Sequence, residues 1–107
     1  MNRLETETCL RKCIVEVKQN VNRDTSLTVT CHVDNASGEI IFGVKKRDDG
    51  KPVTPEQWAY LLNEVEQIPC PQTRILKGGV TYTLDMFEEH LSQLGVDYQE
   101  WKQSDID

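Results

Sequence analysis

A chain of 107 residues, 37% hydrophobic and 28% charged, is long enough for one core and too short for two, and this balance excludes a disordered tail. The net charge of −6 is uneven: residues 1–53 hold nine Lys/Arg against eight Asp/Glu, and residues 54–107 hold three against ten. The C-terminal half would repel a phosphate backbone and attract a basic protein surface, although acids also serve simply to keep a small protein soluble.

Residues 1–10, MNRLETETCL, lack the basic start and apolar middle of an export signal, and the longest uncharged apolar run, Ile40 to Val44, is far too short to span a membrane. A cytoplasmic protein is expected. Cys9, Cys13, Cys31 and Cys70 are then expected to stay reduced, as small apolar side chains.

Leu10, Cys13, Ile14, Val17 and Val21 recur at helical spacing, which predicts an amphipathic helix over residues 4–21. The β-branched residues of CIVEVK offer a strand as the rival. From Leu27 the period becomes two: Leu27, Val29, Cys31 and Val33 alternate with Thr28, Thr30 and His32. DNASGE supplies turn residues, and Ile40, Phe42 and Val44 share one face of a returning strand, completing an antiparallel hairpin. Gly43, on the other face, marks a bulge or the close approach of another backbone.

RDDGKP reads as a turn, followed by a helix with Thr54 as N-cap, Pro55 at its first position and Gln57 as capping-box partner. Val53 and Trp58 occupy staple positions; Trp58, Leu61, Leu62 and Val65 form the buried stripe, and the prolines of IPCP end the helix. TRILKGGVTYT reads as one strand broken at Gly78-Gly79. Thr83 then caps a helix with Asp85 in its first turn, a stripe of Leu84, Phe87, Leu91 and Leu94, and a Schellman ending at Gly95 with Val96 against Leu91.

The expected fold is α+β, a two-layer sandwich of a small antiparallel sheet packed against helices in the order α-β-β-α-β-α. It forms a single domain over residues 1–107, with 97–107 as a candidate C-terminal tail.

Signatures of catalysis are weak. Cys31 and His32 are neighbours on a strand and point to opposite faces; His90 is the remaining base for Cys31 or Cys70. Cys9 and Cys13 share a helical face, but a zinc site usually shows CxxC knuckles, so neither metal nor cofactor is expected. The pairs Asp48-Asp49 and Glu88-Glu89 look solvated, and Gly78-Gly79 lacks the lysine and serine of a phosphate loop. Lys45, Lys46 and Arg47, with Lys51, make a small basic cluster at the hairpin end; edge-strand protection explains it better than contact with nucleic acid.

The sequence therefore points to recognition rather than catalysis: a small acidic module that binds a basic protein and inhibits, neutralises or escorts it. Secretion chaperones, toxin-immunity proteins and phage-encoded inhibitors are comparable in size and charge only. The alternatives are a nucleic-acid-associated regulator working through Lys45-Lys46-Arg47 and a small hydrolase. The candidate contact residues are Glu88, Glu89, Asp97, Tyr98, Glu100, Trp101 and Asp105, two aromatics ringed by acids. Tyr98 and Trp101 have a second use, folding back to cover the core.

Overall fold

The structure, a computed structural model, describes residues 16–18, 26–34, 36–44, 46–47, 50–68 and 72–106. It is α+β: a four-stranded mixed sheet carries helices against one face, and a two-stranded ribbon precedes it.

The ribbon corrects the first predicted helix. Glu16–Lys18 (β1) is extended and pairs antiparallel with Ser26–Thr28 (β2), placing Val17 opposite Leu27. The β-branched run that offered the rival strand prevails at these three positions; the rest of the 4–21 segment lies outside the described residues.

The period of two holds beyond it. Leu27 is buried and Val29, Cys31 and Val33 are half-buried, while Thr28, Thr30 and His32 are exposed. Thr30–Val33 (β3) pairs antiparallel with Ile40–Gly43 (β4). The turn between them is organised by Asp34, whose Oδ1 accepts from the Ala36 N–H (3.1 Å) and whose Oδ2 accepts from the Ser37 hydroxyl (3.0 Å), with Gly38 at φ 74°.

Pro55–Glu66 (α1) starts as predicted. The Gln57 N–H donates to Thr54 Oγ1 and the Thr54 N–H donates to Gln57 Oε1, both at 3.1 Å, a reciprocal capping box. Trp58, Leu61, Leu62 and Val65 are buried, as the stripe requires, and Gln57 is buried with them.

The chain returns in Thr73–Lys77 (β5), which pairs parallel with β4, Ile40 opposite Thr73, so the sheet is mixed rather than wholly antiparallel. The reason is topological: α1 carries the chain back to the end of the sheet where β4 began, and β5 must run the same way. A Cβ on Gly43 would lie 2.6 Å from the Leu76 carbonyl oxygen, so the close approach read from the sequence is real.

TRILKGGVTYT is two strands, not one broken strand. β5 and Val80–Thr83 (β6) form a hairpin closed by Gly78 and Gly79 at φ 60° and 82°, the pair of positive angles that a two-residue mirror-image turn demands.

Leu84–Gln93 (α2) is capped by Thr83 Oγ1, which accepts from the Met86 N–H (3.2 Å). It ends with the Val96 N–H bonded to the Leu91 carbonyl (2.9 Å) and the Gly95 N–H to that of Ser92 (3.1 Å), a Schellman pair. Leu94 departs from its predicted stripe and is exposed, because the helix runs out at that residue. The segment read as a polar tail is a helix, Tyr98–Ile106 (α3), so the order of described elements is β-β-β-β-α-β-β-α-α.

The core lies between sheet and helices: Ile40, Phe42 and Ile75 from the sheet meet Trp58, Leu61, Leu62, Phe87 and Leu91 from the helices, with Tyr98 added from α3. Trp58 and Tyr82 each meet the Phe87 ring edge-on, at 5.6 and 5.7 Å.

Candidate functional site

The buried stripe of α2 leaves two flanks exposed in different senses. Phe87 and Leu91 face the core, and positions 85, 88, 89 and 92 turn to the side where α3 lies. Between the helices runs an open groove of about 330 Å³ lined by Asp85, Glu88, Glu89, Ser92, Asp97 and Tyr98. Four of these six residues are acids, so the groove carries one sign of charge along its length.

The groove is held in shape by specific bonds. Gln99 Nε2 donates to Glu88 Oε1 (2.9 Å), joining α3 to α2. Asp97 Oδ1 accepts from the Glu100 N–H (3.1 Å), capping α3. Tyr98 OH donates to Glu66 Oε2 (2.9 Å) at the end of α1, and Lys102 lies 3.6 Å from the same oxygen and 4.9 Å from the centre of the Tyr98 ring. Burial, and then the Glu66 carboxylate that accepts its hydrogen bond, push the Tyr98 phenol well above the usual tyrosine range.

The predicted contact residues therefore divide. Glu88, Glu89 and Asp97 line the groove, Glu88 and Asp97 being tied into its frame, while Glu100 is exposed on α3 outside the lining. Tyr98 is only 2% exposed: its ring belongs to the core and its edge forms the floor of the groove, so it serves as support rather than as an exposed anchor. Trp101 is half-buried, stacked on Tyr98 (5.9 Å, 17°) and met edge-on by Tyr60 (4.7 Å, 88°). The Asp105 side chain lies outside the described residues.

The candidates for other chemistry are not assembled. Cys31 lies on one edge strand and His90 beside the other, where it stacks on Tyr82 at 5.0 Å; three strand spacings, about 14 Å, separate these edges. Cys9, Cys13, Cys70, Asp48, Asp49 and Lys45 lie outside the described residues. Among the described residues no group of three or more His, Cys, Asp and Glu is placed to hold a metal ion, and no helix is long and apolar enough to cross a membrane. Lys46 is exposed and Arg47 half-buried in the loop after β4. Because β4 is an interior strand, these charges do not protect a sheet edge.

Sequence reasoning missed the groove as a shape. The acids were visible, but their convergence depends on the turn at Gly95-Val96-Asp97 that lays α3 beside α2. Comparison with protein-family models, with curated proteins and with solved structures finds no match.

Proposed function

We propose that the protein is a recognition module whose acidic α2–α3 face docks on a basic surface of another protein and thereby inhibits, neutralises or escorts it. The observation that supports this most is the convergence of Asp85, Glu88, Glu89 and Asp97 on one groove, with Glu100 nearby on α3. Like charges held together on a rigid frame raise the local potential, which speeds encounter with a cationic partner and disfavours anionic ones. The half-buried Trp101 adds apolar area beside the acids, the combination that suits the centre of an interface.

The test uses an arginine-rich peptide of about ten residues and a DNA duplex as probes. The peptide is expected to bind, with affinity falling as salt rises, and Glu88→Lys/Glu89→Lys/Glu100→Lys is expected to slow its association and flatten that salt dependence. Peptide binding indifferent to both salt and the charge reversals would reduce the acids to a solubility role. Salt-steep binding of DNA by the unaltered chain would move the function to the nucleic-acid class.

A further inference from the structure

The other flank of α2 differs from the acidic one. Val80, Met86 and Leu94 are the large apolar side chains that stand out as exposed among the described residues, at 52%, 50% and 40%. They belong together. Met86 and Leu94 lie one helical step either side of His90, and His90 stacks on Tyr82, which shares a strand face with Val80. The three therefore flank β6, the outermost strand of the sheet on that side, and the groove-lining acids Asp85, Glu88 and Glu89 fall on the other sides of α2.

Beside this strip the backbone of β6 is open among the described residues. The turn at Gly78-Gly79 makes Lys77 and Val80 a hydrogen-bonded pair, so Tyr82 bonds Ile75 in the same way and the alternate residues Thr81 and Thr83 direct their N–H groups away from the sheet. The strand itself reads VTYT: high β-propensity, with neither a charge nor a proline to discourage another strand.

We propose that this edge is a self-association surface, on which β6 of a second copy pairs antiparallel about a two-fold axis through Thr81. The strip is self-complementary in that register. Thr81 meets the second copy's Thr81 as a hydrogen-bonded pair, and Val80 falls opposite the second copy's Tyr82 on the helix-covered face, so the exposed valine gains an aromatic cross-strand neighbour twice over. The two α2 helices then run antiparallel along the joint, with Met86 and Leu94 turned towards it. Charge decides for a second copy over the basic partner proposed above. The groove acids of α2 point elsewhere, while Lys77 and His90 stand on this side, so the strip offers a cationic partner nothing and lets two copies of an acidic chain approach along a face that is not acidic. Pairing here leaves both acidic grooves facing outward, and it stands or falls independently of their function.

Sedimentation equilibrium on the full chain, from about 1 to about 500 µM, is expected to show a monomer passing to a dimer and no further, because the contact closes on itself. Thr81→Pro removes an N–H that makes no bond among the described residues and should weaken the dimer roughly tenfold or more, by loss of two bonds across the axis. Met86→Glu, at an exposed helix position, should weaken it severalfold without altering the fold. With Thr81→Cys, oxidation should give a disulfide linking two copies through residue 81, identified by peptide mass, since Cα atoms of such a pair lie about 5.5 Å apart. A monomer throughout the range, or a dimer that neither Thr81→Pro nor Met86→Glu loosens, overturns the proposal. Protection of the Thr81 and Thr83 amides from hydrogen exchange only when a different protein is added also overturns it.

Discussion

Replacing Tyr98 separates support from contact at the acidic groove. The ring is 2% exposed, packs with the core and stacks on Trp101, so Tyr98→Ala should cost about 3 to 5 kcal/mol, the range for emptying a large aromatic site. Tyr98→Phe keeps the ring and removes only the bond to Glu66. That carboxylate is partly open to solvent and regains water, so the loss should be about 1 kcal/mol, or roughly 4 to 8 °C in Tm for a domain of this size. Burial of the phenol, with that bond second, sets an alkaline signature. The folded-state phenol is raised above its ordinary value of 10.0, so its stabilisation is complete below that pH and is lost as pH climbs above it. Urea unfolding of the parent, Tyr98→Phe and Tyr98→Ala at pH 7, and of the first two between pH 9 and about 11.5, measures all three effects. An unchanged midpoint for Tyr98→Ala would refute the burial of this ring and, with it, the attachment of α3 to the domain. Equal alkaline slopes for parent and Tyr98→Phe would refute the burial of the phenol, the larger cause of its raised value, together with the bond to Glu66.

The remaining expectations concern the frame. Trp58→Ala should destabilise by about 3 to 5 kcal/mol and Thr54→Ala by about 1 kcal/mol, both read from chemical denaturation. Gly43→Ala should destabilise by about 1 to 3 kcal/mol, since the new methyl meets backbone rather than a side chain that can move; a neutral result would show that β4 and β5 sit farther apart than described. Burial, then the nearby Lys77, hold the His90 imidazole below its ordinary 6.5, so its contribution is present above that pH and is lost as pH falls below it. Thermal unfolding between pH 5 and 7.5 should show a steeper acid decline for the parent than for His90→Gln.

Much of the frame was legible because it is local. The alternation from Leu27, the turn at Asp34, both threonine caps and the Schellman ending each depend on residues within a few positions of one another. The misreadings arose where two periods fit or where a distant partner decides. The apolar residues around Val17 satisfy helical and extended spacing alike, and pairing with Leu27 selects the strand. Gly78-Gly79 marked an interruption, but only the return of β6 alongside β5 makes it a turn. Tyr98 sits among acids in sequence, and its burial depends on Glu66 and Trp101 as much as on its own surroundings. The spacing from Thr54 marks Gln57 as a capping residue but does not show that the core encloses it, because burial is decided by what α1 packs on.

The parallel pairing of β4 with β5 also governs how quickly the native state can be reached. Each hairpin closes over its own short turn and needs nothing from elsewhere, whereas β4 and β5 meet only after the whole of α1 has been threaded between them. That junction carries most of the chain-closure entropy, and the apolar stripe of α1 is what offsets it. The transition state for folding is therefore expected to contain α1 lodged on Phe42 and Ile75. Leu61→Ala should slow refolding, and Thr83→Ala, at the cap of a helix that docks afterwards, should chiefly hasten unfolding.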